Sequence, residues 1–135
     1  MSQKNLNVQN KTHKFLLDKL EDKRILRIYK KFEKNLKVKK SVIVAVSGGP
    51  DSLALSFLTK IYSLKKSLVV KYFLVDHRLR KNSTSEAKSV QKLLENFSIN
   101  LNILSWKGSK PQKNIQSISR DKRYELLINQ ANKFK

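Results

Sequence analysis

Short apolar runs alternate with helically spaced apolar positions along most of this chain. Residues 1–12 are polar, rich in Asn, Gln and Lys, and are expected to be loose. Over 13–37 the spacing predicts helix. Ile25, Tyr29, Phe32 and Leu36 recur on one face, while Phe15, Leu16 and Leu20 follow a different phase. A break is therefore expected near Glu21-Asp22. The segment reads as an amphipathic helical unit packed on the domain, with a nucleic-acid contact from its lysines as the alternative. Ser41–Val46 is a continuous apolar run of strand length, and 51–65 reads as helix. A second strand is expected over 68–75. Ser83, with Glu86 three residues on, predicts a capping box opening a helix whose Ala87, Val90, Leu94 and Phe97 share one face. A third strand over 101–105 and a loop holding Gly108 and Pro111 precede a last helix over 114–133, with Leu127, Ala131 and Phe134 expected inward. Buried strands alternating with amphipathic helices specify an α/β fold: a parallel sheet with right-handed crossovers and flanking helices. Three strands are few to bury both sheet faces, so the sheet is expected to be incomplete in this chain.

The junction between the first strand and its helix carries the candidate chemistry. It reads Ser47-Gly48-Gly49-Pro50-Asp51-Ser52. Glycines let backbone N–H groups approach an anion with no Cβ in the way. The following helix start adds unpaired N–H donors and the positive end of its dipole. Ser47 and Ser52 offer hydroxyl donors, and Pro50 suits a first helical turn, where its missing N–H costs nothing. The loop lacks the Gly-Lys-Ser/Thr ending of a Walker A loop and the G-x-G-x-x-G spacing of a dinucleotide fold. Where a Walker loop has lysine it has Asp51. A carboxylate beside phosphates implies a divalent cation between them, unless Asp51 only complements the helix dipole. The loop points to a nucleotide.

Charge adds a candidate partner. Thirty basic and ten acidic residues give a formal net charge of +20 in 135 residues. The excess is distributed, with +9 over 1–40, +5 over 41–84 and +6 over 85–135. Such a chain attracts polyanions, RNA foremost. Because 24 of the 30 cations are lysines, an ordinary solvated surface is the competing reading. The absence of cysteine excludes disulfides, thiolate zinc sites and a cysteine nucleophile within these residues. With no apolar run of membrane-spanning length and no signal-peptide core, no membrane association and a cytoplasmic location are expected.

The loop resembles the SGGxDS signature of the N-type ATP pyrophosphatases, the PP-loop family. Two further segments narrow the likeness to the tRNA(Ile)-lysidine synthase family. Val75-Asp76-His77-Arg78-Leu79-Arg80 followed by Ser85-Glu86-Ala87 is similar to that family's VDHxLR and SxEA region. Asn114-Ile115-Gln116 followed by Ser119-Arg120-Asp121-Lys122-Arg123-Tyr124 is similar to its NIQ and ARxxRY region, with Ser119 where Ala is commoner. The resemblance covers about residues 15–135.

It implies a Rossmann-like, adenine nucleotide alpha-hydrolase-like fold, ATP and Mg²⁺ as cofactors, and ligation of free L-lysine to C2 of the wobble cytidine of a tRNA(Ile) with a CAU anticodon. On that reading Ser47, Gly48, Gly49, Pro50, Asp51 and Ser52 hold the phosphates and Asp51 binds the metal. Val75, Asp76 and His77 lie near the adenosine, Asp51 and Arg120 are catalytic, and Arg80, Asn114 and Arg123 face the tRNA substrate. For His77 the bland alternative is a strand-end cap, for Asn114 a helix cap, and for Trp106 a core position rather than a base-stacking one. The family continues into a further strand, a His-His-x-Asp-Asp motif and a C-terminal part that helps hold tRNA. Here the histidines are His13 and His77. Residues 13–135 are therefore expected to be the N-terminal part of a PP-loop ATP-binding domain, truncated before that motif. Another PP-loop tRNA-modifying enzyme, such as a thiolase, and a non-catalytic basic RNA-binding unit are the alternatives.

Overall fold

The computed structural model describes residues 3–134. Helix α1 (Gln3–Asp18) passes through a 3₁₀ turn (Lys19–Glu21) into α2 (Lys23–Asn35). The break falls where the two apolar phases meet. Asp22 has extended backbone at the start of α2, and its carboxylate accepts from the Arg24 N–H at 2.8 Å, an N-cap. The start of α1 differs from expectation. Residues 3–12, read as loose, form the first part of α1, so the helical segment does not begin at 13; residues 1 and 2 lie outside the described residues.

Strands β1 (Ser41–Ala45), β2 (Val69–Asp76) and β3 (Leu101–Ser105) form one parallel sheet in the order β1-β2-β3. Helix α3 (Pro50–Lys66) joins the first pair, and α4 (Ser83–Glu95) joins the second. The expected Rossmann-like α/β architecture is the one observed. Register pairs Val44 with Tyr72 and Tyr72 with Leu101, which puts Val42, Val44, Val46, Val70, Tyr72, Leu74, Leu101 and Ile103 in one core. Ala87, Val90, Leu94 and Phe97 meet that core as the helical spacing predicts. The Tyr72 hydroxyl, taken below this face, is 3.0 Å from Thr59 Oγ1 and donates to the Ser56 carbonyl at 3.3 Å.

A second cluster gathers Leu16, Tyr29, Ile61 and Tyr62, with Leu20, Phe32 and Leu36 against it. The paired helices α1 and α2 thus pack on the outside of α3, the bland reading of the 13–37 segment. Phe57 and Phe97 belong to both clusters and meet edge-on at 4.8 Å, tying the helical layer to the sheet core.

The opposite sheet face is covered by α5 (Ile115–Lys133) less completely. Phe73 is buried and lies 6.3 Å from the Phe134 ring. Ala131 and Phe134, expected inward, are exposed. Ser119 is the buried residue of α5. The helix is weakly amphipathic, so its polar and apolar positions leave its rotation poorly determined. The expected capping box of α4 does not form either. Asn82 occupies the N-cap, and the Glu86 carboxylate turns to Arg80 at 2.7 Å. No helix among the described residues is long and apolar enough to cross a membrane.

Candidate nucleotide site

The glycine loop begins where β1 stops pairing. The Val46 N–H still donates to the Phe73 carbonyl at 2.8 Å, and the chain then turns away from the sheet. Gly48 turns it with φ +89°, a conformation L side chains rarely adopt. A Cβ there would also lie 2.8 Å from Val90 Cγ2, so the loop is pressed against α4. Gly49 is the N-cap of α3, Pro50 opens its first turn and Asp51 stands in that turn. This is the strand, glycine turn and helix start the sequence predicts.

The two serines behave differently from the expected simple donors. Ser52 Oγ accepts from the Ser47 N–H at 2.8 Å and from the Gly48 N–H at 3.3 Å. Ser47 Oγ accepts from the Gly49 N–H at 3.3 Å. The loop amides therefore converge, but on hydroxyl oxygens of the loop itself. A hydroxyl that accepts can still donate outward. A phosphate oxygen has the right chemistry to replace either acceptor.

The second wall comes from the end of β2. Asp76 is buried, and its carboxylate accepts from the Arg78 N–H at 2.9 Å and from Thr84 Oγ1 at 2.7 Å. Its carbonyl accepts from the Trp106 N–H at 2.9 Å. Burial pushes the Asp76 carboxyl pKa up, but the bonds from Thr84 and Arg78 more than offset it, so the group is held below its ordinary value. Asp76 thereby fixes the left-handed Arg78 (φ 55°), the start of α4 and the end of β3. It braces the wall of the site.

His77 is half-buried and meets the buried Trp106 edge-on at 6.1 Å. Its Nδ1 is buried with no hydrogen-bond partner. Burial, then the Arg123 charge, pull its pKa below 6.5, with Asp76 opposing and Lys110 adding to the fall. The imidazole is neutral at pH 7, which the strand-cap reading does not require. Trp106 is a core residue, as the bland reading has it; Lys110 Nζ sits 4.5 Å over its ring and donates to its carbonyl at 2.8 Å.

Two cavities flank these elements. One of about 240 Å³ brings together Ser47, Val75, Asp76, His77, Arg80 and Arg123. The other, about 720 Å³ and more open, is lined by Asn114, Arg120 and Arg123 with Gln112, Gln116 and Ser117. Arg123 belongs to both, so helix α5 joins the strand ends to the outer cavity. Ligands in open α/β sheets bind outside the C-terminal strand ends, which is where the first cavity lies. Gly48, Gly49, Pro50, Asp51 and Ser52 line neither cavity and form the adjoining loop. Asn114 holds the N-cap position of α5 with φ 53°, but its side chain makes no capping bond. Arg80 is exposed and paired with Glu86 at 2.7 Å.

Sequence reasoning missed Val90, Gln112, Gln116 and Lys110. Gln116 stood inside the quoted NIQ segment. Nothing local marks Val90 as the residue that meets Gly48.

Among the described residues no three His, Cys, Asp or Glu side chains cluster as a metal site. Asp51 is exposed and has no ion pair among the described residues. Magnesium is commonly held by one or two carboxylates plus substrate phosphates, so a single Asp51 carboxylate beside a phosphate loop fits that group.

The sequence profile of the PP-loop domain family matches residues 18–134. The tRNA(Ile)-lysidine synthase of Bartonella quintana is 43% identical over 98 residues, covering 70% of this chain and 20% of that protein. Its counterpart in Rhodopseudomonas palustris is 39% identical over 93 residues, covering 67% of this chain and 27% of that protein. The protein of the same name in Brucella ovis is 43% identical over 94 residues, 68% of this chain and 21% of that protein. The chain thus spans about a fifth to a quarter of the length of these curated relatives. A glycine loop between β1 and α3, a site at the strand ends and a profile match over nearly the whole chain agree: the chain belongs to the PP-loop domain family.

Proposed function

We propose that this chain forms the ATP-handling part of a tRNA-modifying ligase of the tRNA(Ile)-lysidine synthase type. The convergence of the loop end, the end of β2 and Arg123 on one cavity carries this reading. Its identity of 39% and 43% to proteins bearing that name supports it. Ser47, Gly48, Gly49 and Ser52 hold the pyrophosphate portion of ATP through N–H and O–H donors, with Pro50 setting the helix start. Asp51 holds Mg²⁺, which would neutralise charge developing on the leaving pyrophosphate. Val75, Asp76 and His77 flank the adenosine. Arg120 and Arg123, three residues apart on α5, clamp anionic oxygens at the outer cavity. Asn114 and Arg80 face the tRNA.

The reaction runs in two displacements. O2 of the wobble cytidine attacks the α-phosphorus of ATP and pyrophosphate departs. The ε-amine of free L-lysine then attacks C2, the C2–O2 bond breaks, AMP leaves and the amine gives up a proton. Adenylation supplies a leaving group where the cytidine had none.

The test is ATP-dependent incorporation of labelled lysine into unmodified tRNA(Ile) bearing a CAU anticodon, with ATP binding measured in parallel. Incorporation by this chain, lost in Asp51→Ala with tRNA affinity retained, is the expected result. Absence of ATP binding would overturn the nucleotide reading. ATP bound with no lysine incorporated would overturn the assignment of ligase activity to these residues. An equal loss of tRNA binding and turnover in Asp51→Ala would contradict its metal role.

A further inference from the structure

A second basic site lies far from the glycine loop. A cavity of about 450 Å³ opens between α2 and α3 and is lined by Tyr29, Lys30, Glu33, Lys34, Lys65 and Lys66 among others. Asp51 and Lys65 are fourteen residues apart on α3, which at about 1.5 Å per residue places them about 21 Å apart along the helix. Lys66 is paired with Glu33 at 3.1 Å. Lys30, Lys34 and Lys65 have no acidic partner among the described residues. Both helices end near this point, so their carbonyl ends disfavour an anion, and attraction rests on the lysines.

Tyr29 is the second observation. It is 0% exposed, yet its hydroxyl has no hydrogen-bond partner. Buried hydroxyls are nearly always bonded, and an orphan calls for an explanation. Glu33 is close enough to the phenol to act on its charge without meeting hydrogen-bond geometry. Burial first, then Glu33, push the Tyr29 pKa far above its ordinary value, so the phenol stays a neutral donor. Lys65 Nζ lies 5.1 Å over its ring and covers it from solvent. Retraction of that flexible side chain uncovers an O–H donor beside unpaired ammonium groups.

We propose that this cleft binds a phosphate group, with Lys30, Lys34 and Lys65 supplying charge and the Tyr29 hydroxyl a directed hydrogen bond. The phosphate is either part of an RNA backbone or a free phosphate. The distributed charge of +20 favours the RNA, held here at a point remote from the nucleotide site. The site does not depend on the chemistry proposed at the glycine loop.

The experiment titrates the full chain with inorganic phosphate and follows residue-resolved amide resonances. A stem-loop RNA is then titrated at several salt concentrations by fluorescence anisotropy. Lys30 and Lys65 amides are expected to shift saturably with phosphate, at least threefold more weakly in Tyr29→Phe and not at all in the double variant Lys30→Gln/Lys65→Gln. RNA affinity should fall about fivefold in the double variant, with its salt slope smaller by about one to two. Phosphate shifts at Lys30 and Lys65 with RNA affinity and slope unchanged would overturn the RNA source and assign the cleft to free phosphate. No shift at Lys30 and Lys65 would overturn the site altogether. The lysine variants are at exposed positions and keep the test intact should Tyr29→Phe not fold. Asp51→Ala should leave the Lys30 and Lys65 shifts unchanged, so failure of the nucleotide reading is seen separately.

Discussion

Replacing Gly48 with Ala tests how the loop is built. Two costs are separable. At φ +89° an Ala is strained by about 1–2 kcal/mol. Its Cβ would also sit 2.8 Å from Val90 Cγ2, against an ordinary carbon–carbon separation of about 3.5–4.0 Å. Val is stiff at χ1, so relief requires α4 itself to shift, an overpacking cost of about 1–3 kcal/mol. Gly48→Ala should therefore destabilise the fold by about 2–5 kcal/mol, a large share of a small domain's total. Val90→Ala alone removes two carbons from a half-buried position and should cost about 1 kcal/mol. In that background the clash is gone, and Gly48→Ala should cost only the backbone strain, about 1–2 kcal/mol. Urea unfolding of the four proteins, followed by circular dichroism and Trp106 fluorescence, gives a double-mutant cycle with an expected coupling of about 1–3 kcal/mol. Equal costs of Gly48→Ala in both backgrounds would refute the claim that α4 holds the loop down. A Gly48→Ala cost below about 0.5 kcal/mol would refute the positive-φ argument as well.

Three other perturbations separate structure from function. Tyr72→Phe should cost about 1 kcal/mol in urea unfolding, since Thr59 Oγ1 keeps its bonds to the Leu55 and Ser56 carbonyls and no donor is orphaned; a cost above about 3 kcal/mol would mean the hydroxyl does more. His77 has a folded pKa below 6.5, so the unfolded chain binds more protons and stability present above pH 6.5 is lost as pH falls toward the folded value; His77→Gln should flatten the stability profile between pH 7.5 and 5.5, and an unchanged slope would contradict this. Arg80→Ala breaks an exposed pair with Glu86 and should change stability by less than about 0.5 kcal/mol, while a loss of tRNA affinity would place Arg80 on the substrate.

The strands and the helices over the sheet were legible because each carries a local signal. Ser41–Val46 is apolar throughout, and Ala87, Val90, Leu94 and Phe97 hold helical spacing. The glycine loop was legible for the same reason, since its order of residues is its structure. Three features depended on contacts between distant segments. Residues 3–12 are helical without an apolar stripe of their own, as an extension of the packed turns around Leu16. Glu86 has the spacing for a capping box but meets an arginine six residues before it. Ala131 and Phe134 belong to a weakly amphipathic helix over a half-covered sheet face, and nothing local fixes its rotation. At the site, the residue types could be read, but not that Arg123 would line two cavities or that Val90 would sit on Gly48. Those are facts of approach between helices that share no sequence neighbourhood.

The self-bonded glycine loop has a consequence for discrimination. Ser52 Oγ acts as a resident surrogate for a phosphate oxygen, keeping the Ser47 and Gly48 amides aimed inward when no anion is bound. A ligand entering the loop therefore exchanges one acceptor for another and gains only the difference between them. A lone weak anion such as chloride gains little by that exchange. A polyphosphate gains more, because its charge is greater and its neighbouring oxygens reach beyond the amides to the helix start and the Asp51-bound cation. The loop is thus built as a threshold, holding its shape for everything and yielding its bonds only to a ligand that competes with its own serine.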